Sequence, residues 1–218
     1  MASAIWAYPI VGAAIGALAG LIISIGVALN LPSALIAAIA LLSLIMLSGG
    51  MHEDGLADCA DGFWGGATRA RRLEIMKDSR IGAYGVIALV LALICEWALI
   101  EGILYADPIL VLATIGAASR APLGLAMALI PNARGSGLAS SVGRVSSLIA
   151  LLSLGLGGAL ACLLLGPAAG AFIIVACLIG CAVPLGIAQL KIGGQTGDVL
   201  GASQKMAQIF GLTAIYLL

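Results

Sequence analysis

Charged residues are scarce in this chain: ten Lys and Arg and ten Asp and Glu among 218 residues, with a net charge of zero at pH 7. Without a cationic excess there is no bulk attraction to nucleic acid, and no such partner is expected. Histidine occurs once, as His52, and the five cysteines (59, 95, 162, 177 and 181) are an odd number, four of them inside apolar runs. A zinc site needs closely spaced Cys, His or carboxylate ligands, which this distribution does not offer. Cys177 and Cys181 are one helical turn apart but have no His or acid neighbour, so they read as small apolar fillers. The N-terminus lacks a basic n-region followed by a small-residue cleavage site, so no removable signal peptide is expected.

What is present is hydrocarbon. The chain is 62% hydrophobic and 9% charged, with a mean hydropathy of +1.20. Soluble domains are about 45–50% apolar and about 25% charged. A soluble fold of this length has too little interior to hide so much apolar surface, so the solvent is a bilayer. The length leaves room for roughly six or seven spans of about 20 residues. The expectation is one all-α polytopic membrane domain over residues 1–218, with bilayer lipid around it; a homo-oligomer is compatible with this reading. Apolar runs between breakers predict helices near 9–29, 32–51, 82–105, 108–130, 146–165 and 168–190, and a short last one near 206–218. Gly12, Gly16 and Gly20 recur at the spacing that lets two membrane helices approach closely.

The cations are one-sided. Arg69, Arg71, Arg72, Lys77 and Arg80 follow the second predicted helix, Arg134 and Arg144 the fourth, and Lys191 and Lys205 the sixth. The connections after helices one, three and five carry none. The positive-inside rule makes the charged face cytoplasmic and the location the inner cell membrane. Arg120 is the exception, deep in the fourth helix, where it neutralises the acidic cluster or binds phosphate, or else pairs with Glu96 or Glu101. Arg134 and Lys205 read chiefly as flank charges.

The stretch HEDGLADCADG (52–62) places four carboxylates in nine positions of a chain that has ten acids. Each helical residue advances about 100°, so Asp54, Asp58 and Asp61, at i, i+4 and i+7, share one stripe. Three carboxylates on one stripe repel unless a cation lies between them. Hard oxygen ligands of this kind suit Mg²⁺, Mn²⁺ or Ca²⁺. RARRLEIMKDSR (69–80) follows, in which Lys77, Asp78 and Arg80 stand at the foot of the next span. Metal-holding acids next to Lys and Arg make a receptor for phosphates. Asp78 completes or orients the ligand set in this reading, while Lys77 and Arg80 meet the phosphates. His52 points away from the acid stripe and is a weaker candidate base.

GGMHEDGLADCADG (49–62), LEIMKDSRIGAYG (73–85) and GGQTGDVLGASQKMA (193–207) resemble, in order, the three signature stretches of the adenosylcobinamide-GDP ribazoletransferase (cobalamin synthase) family. AYPIVGAAIGALAG (7–20) is similar to the family's first helix, so the resemblance spans essentially the whole chain. It implies an Mg²⁺-dependent membrane transferase that joins α-ribazole, or its 5′-phosphate, to adenosylcobinamide-GDP with release of GMP. The expected nucleophile is the ribazole 5′-hydroxyl. The third stretch adds Asp198 as a ligand for metal or a ribose hydroxyl. Separately, Lys205 and Arg120 are weaker candidates for contact with the substrate phosphate or nucleotide. A CDP-alcohol phosphotransferase is a poorer match, because the DGLAD and DCADG pieces overlap and no Ala-Arg follows at the required offset. A cation transporter would distribute its acids through the membrane depth, whereas these cluster at one face.

Overall fold

Apolar runs bounded by proline, glycine and asparagine form the helices, because a bilayer leaves backbone N–H and C=O groups no partner outside the chain. The structure, a computed structural model, describes residues 2–134 and 145–218. A 3₁₀ turn (Ala2–Ala7) leads into α1 (Tyr8–Ala28), followed by α2 (Ser33–Leu47), α3 (Met51–Gly65), α4 (Arg69–Ile75), α5 (Ala83–Gly102) and α6 (Pro108–Arg120). Then come α7 (Leu123–Leu129), α8 (Ser147–Leu165), α9 (Pro167–Ile192) and α10 (Gly197–Ile215). Arg144, counted above among the one-sided cations, lies outside the described residues.

Among the described residues, five helical stretches are long and apolar enough to cross a membrane: Ala2–Ala28, Ala83–Gly102, Pro108–Leu129, Ser147–Leu165 and Pro167–Ile192. The run expected as one helix over 32–51 instead ends at Leu47. Gly49 and Gly50 adopt left-handed conformations (φ 68° and 67°), and α3 departs from α2 at 86°. The acid stripe therefore lies on a separate helix set across the end of α2. The last helix also differs from expectation. Thr196 caps it by accepting the N–H of Val199, so it starts at Gly197 rather than near 206. This places Asp198 in the first turn and Lys205 two turns inside, not in a loop.

A polar helix lies inside the bundle. α10 packs on α9, α3, α6 and α5 and buries Ser203, Gln204, Lys205 and Gln208. α1 lies antiparallel on α6 with almost no side chain between them. A Cβ at Gly12, Gly16 or Gly20 would strike the backbone of Gly116, Leu112 or Pro108 respectively. Around this centre Leu18, Ile25, Val90, Ile94, Leu151 and Val175 point outward, the arrangement of a protein whose solvent is lipid.

The basic segment does more than mark a side. Arg69 donates to the carbonyls of Ile192 (2.7 Å) and Ala133 (2.9 Å), and Arg72 to that of Lys191 (3.0 Å). Cations thus meet the unpaired carbonyls at the C-terminus of α9, where the helix dipole favours them. Lys191 in turn donates to Phe63 O (2.8 Å) and lies over the Trp64 ring. Residues 131–133 and 195 pair through Ala133 N–H to Gln195 O (2.8 Å) and Gln195 N–H to Pro131 O (2.9 Å). Three sequence-distant connections are thereby held at one end of the bundle. The other end is marked by Ser33 donating to Glu101 (2.6 Å) and Tyr216 donating to Leu99 O (2.6 Å).

Candidate active site

The stripe predicted for Asp54, Asp58 and Asp61 is a helical stripe, since α3 runs unbroken through all three. Asp54 and Asp58 line one wall of a cavity of about 540 Å³ whose opposite wall carries Lys77, Asp78, Ser79 and Arg80. The chain thus brings the acid stretch and the foot of α5 to one space. Among the described residues neither Asp54 nor Asp58 has a side-chain hydrogen bond or ion pair, so their oxygens are free for a ligand.

Asp61 is used differently. It is buried, and its two oxygens accept the N–H of Gly82 (2.7 Å) and of Gly85 (2.9 Å) at the N-terminus of α5. An anionic side chain there satisfies unpaired helix N–H groups and meets the positive end of the dipole. A Cβ at Gly85 would collide with this carboxylate, which is why glycine is needed. Asp78 grips Arg80, whose Nη2 lies 2.8 Å from Oδ2 and whose Nε is 3.2 Å from both oxygens. Hydrogen bonds from the Arg80 side chain, then from its backbone, hold the Asp78 carboxyl down at about 2. The same pairing raises Arg80.

Asp198 approaches from the third stretch. It pairs with Arg134 at 2.8 Å and accepts from Thr196 Oγ1 at 3.3 Å. The charges acting on half-buried Asp58 are Asp198, Asp54, Arg134 and Asp61, three acids against one cation. Among the described residues no three acid, His or Cys side chains converge closely enough to form a ready-made metal cluster.

The family model for cobalamin-5-phosphate synthase matches residues 1–216. The chain belongs to that family. It is 45% identical to the adenosylcobinamide-GDP ribazoletransferase of Azorhizobium caulinodans, over 97% of this chain and 83% of that protein. Identity is 41% to the protein of that name from Mesorhizobium japonicum (96% and 81% covered). It is 39% to that from Bradyrhizobium diazoefficiens (96% and 81%). No solved structure matches the chain. The three stretches that carry the resemblance to the cobalamin synthases fall on α3, on α4 with the start of α5, and on α10, the elements that bring the acids together.

Behind the acids lies a buried polar network that sequence reasoning missed. Lys205 is 2% exposed and forms ion pairs with Glu53 of α3 (2.6 Å) and Glu96 of α5. Gln208 donates to Glu96 (2.9 Å), while Gln204 donates to Gln208 (3.0 Å) and Ser119 (3.1 Å). This corrects two expectations. Lys205 is not a flank charge, and it lines neither the acid cavity nor the cavity beside Arg120. Arg120 pairs with neither Glu96 nor Glu101; its Nη1 donates to Gly116 O of its own helix (3.2 Å). The readable signal was the Gln204–Gln208 spacing and a lone Glu96 inside an apolar span, since a charge in that setting needs a partner. Arg134, read as a flank charge, is largely buried against Asp198.

Proposed function

We propose that this chain transfers the adenosylcobinamide phosphate group of adenosylcobinamide-GDP to α-ribazole 5′-phosphate, releasing GMP at the cytoplasmic face of the inner membrane. The observation that carries the reading is the meeting of the family's signature stretches around one acid-lined cavity opposite Lys77 and Arg80. A cobalamin-5-phosphate product keeps its phosphate at the 5′ position. The 5′-hydroxyl expected from the sequence is then blocked, and a secondary ribose hydroxyl attacks instead. That oxygen bonds to the cobinamide-bound phosphorus, the bond from phosphorus to the GMP oxygen breaks, and GMP leaves with the electron pair.

The residues fit Mg²⁺. This ion is usually held by one or two carboxylates together with substrate phosphates, and Asp54 and Asp58 present two uncommitted ones. Asp78 is the third candidate once Arg80 turns from it to a phosphate. Bound Mg²⁺ supplies charge neutralisation on the phosphate oxygens. Asp61, with both oxygens on α5, holds α3 and α5 in register so that the two cavity walls face each other. Asp58, crowded by Asp198, Asp54 and Asp61, is the acceptor assigned to the hydroxyl proton. Lys77 and Arg80 meet the diphosphate, Arg80 with a planar fork of donors. Asp198, fixed by Arg134, stands at the edge of the site for a ribose hydroxyl. The test is incubation of purified protein with adenosylcobinamide-GDP, α-ribazole 5′-phosphate and Mg²⁺. Equimolar GMP and corrinoid product are expected, and their absence in folded protein would reject the reading.

A further inference from the structure

A second cavity, of about 410 Å³, lies beside the N-terminal ends of α3 and α10 and has no part in the mechanism above. Val11, Leu47, Leu123, Met127 and Leu200 give it a largely aliphatic lining. Two cationic or protonatable groups interrupt that lining: His52 and Arg120. Arg120 is 8% exposed and, among the described residues, has no carboxylate within ion-pair distance; its one hydrogen bond goes to Gly116 O. Glu53, the acid that acts on it electrostatically, is already paired with Lys205 at 2.6 Å. A buried guanidinium with free donors, facing a cavity, is costly unless an anion comes to it.

The cavity describes its ligand. The volume falls in the range that encloses a drug-sized molecule, which a corrinoid far exceeds. Its aliphatic walls suit a flat aromatic ring, with Tyr8 and Ser48, among the described residues, as the only other polar side chains on the lining. One Arg with one His suits a single phosphate group. Gly197 lines the same cavity, and a Cβ there would meet nothing within 4 Å, so α10 leaves that side open next to Asp198.

We propose that Arg120 and His52 form the receptor for the 5′-phosphate of the acceptor nucleotide, with its aromatic base in the aliphatic cavity and its ribose directed past Gly197 toward Asp198 and Asp58. This rests on the transferase reading and deepens it: Arg120 sets the choice of phosphorylated over unphosphorylated acceptor. A membrane lipid shares the chemistry of a phosphate on an apolar body, and the experiment separates the two sources.

The experiment measures GMP release by the full chain in non-ionic detergent, with α-ribazole 5′-phosphate or α-ribazole as acceptor, for the parent, Arg120→Gln and Arg120→Lys. The parent should prefer the phosphorylated acceptor. Arg120→Gln should lower kcat/KM for that acceptor by about ten- to a hundred-fold, the worth of one charge-assisted contact. It should leave α-ribazole within about two-fold, and Arg120→Lys should recover part of the preference. Equal losses with both acceptors, or an unchanged preference, overturn the proposal. So does a loss with both acceptors that added phosphatidic acid reverses, since the anion is then a lipid's. Val11→Trp, at another position of the cavity lining, narrows the cavity and keeps Arg120, and it serves if Arg120→Gln does not fold. It should raise KM for both acceptors and not for the corrinoid, and the reverse pattern overturns the assignment. A parent that releases no GMP with either acceptor removes the transferase reading and this inference with it, whereas an active parent with an unmoved preference removes this inference alone.

Discussion

Asp61 of α3 accepts the backbone N–H of Gly85 at 2.9 Å, across 24 residues of chain. Its other oxygen takes the N–H of Gly82. One carboxylate therefore closes the start of α5 and fixes the angle between the two walls of the acid cavity. Asp61→Ala leaves two N–H groups without an acceptor, one of them buried, and should cost about 2–4 kcal/mol. Thermal unfolding in detergent reads the loss. An unchanged midpoint would show that the cap is not needed to hold α5. Asp61→Asn keeps one acceptor oxygen and should fall between the two.

The Lys205 ammonium between Glu53 and Glu96 leads to a second stability prediction. Removing one partner of a buried ion group strands the others, at a cost of about 3–5 kcal/mol. Lys205→Met should show this loss, and adding Glu53→Gln and Glu96→Gln should recover most of it, because no charge then remains unpaired. Full stability of Lys205→Met alone would contradict the pairing.

Much of this was legible in the sequence, for identifiable reasons. Apolar runs of membrane length fix helices closely, and α8 and α9 fall within two residues of the expected bounds. The bend between α2 and α3 is not marked in the sequence, because Leu47-Ser48-Gly49-Gly50-Met51 carries no proline or charge to end the helix. Only the left-handed Gly49 and Gly50 turn it, and glycine permits but does not demand that conformation. The acid stripe followed from helical spacing, yet spacing could not separate free Asp54 and Asp58 from Asp61, whose partners are backbone groups with no signature. Lys205 is obscured for a similar reason: a cation near an expected helix start looks like a flank charge, whereas the Thr196 cap begins the helix earlier.

The Asp78–Arg80 pair yields a pH prediction. The folded carboxyl titrates at about 2, below its ordinary value of 3.8. The contribution of the pair is therefore complete above the ordinary value and disappears as pH falls through about 2. Between pH 5 and 8 it should be invisible in any activity profile. The side chain of Arg80 is exposed, so the pair should be readily broken by substitution. In Arg80→Ala, a carboxyl-selective NMR titration should find Asp78 moved up toward 3.8. An unmoved value would mean that Arg80 is not what holds it down.

The one-ended Lys and Arg distribution, together with the Arg69 contacts to Ala133 and Ile192, leads to a topology prediction. In a background with the five cysteines replaced, a cysteine at Ala67 or Gly197 should label from the cytoplasmic side. One at Asp107 should label from the opposite side. Labelling of Ala67 and Asp107 from one side would rule out α5 as a full span.

Asp54 and Asp58 differ from Asp61 in what their loss should do. Neither carboxylate holds a protein partner among the described residues, so Asp54→Asn and Asp58→Asn should leave the unfolding midpoint unchanged or slightly raised, since like charge is removed from the stripe. Their effect should instead fall on turnover. Replacing an outer-shell partner of a bound metal typically costs about 10–100-fold, so loss of a direct ligand should exceed roughly a hundredfold in kcat/KM. The two variants should also differ from each other. If Asp54 serves the ion alone, raising Mg²⁺ should restore much of the Asp54→Asn rate by mass action. If Asp58 also takes the hydroxyl proton, no concentration of Mg²⁺ should restore Asp58→Asn, because amide cannot accept that proton. Chelation of the parent should abolish GMP release, and Mg²⁺ should return it. Full activity of the parent in excess chelator would remove the ion from the mechanism, and parallel recovery of both variants by Mg²⁺ would remove Asp58 as the proton acceptor.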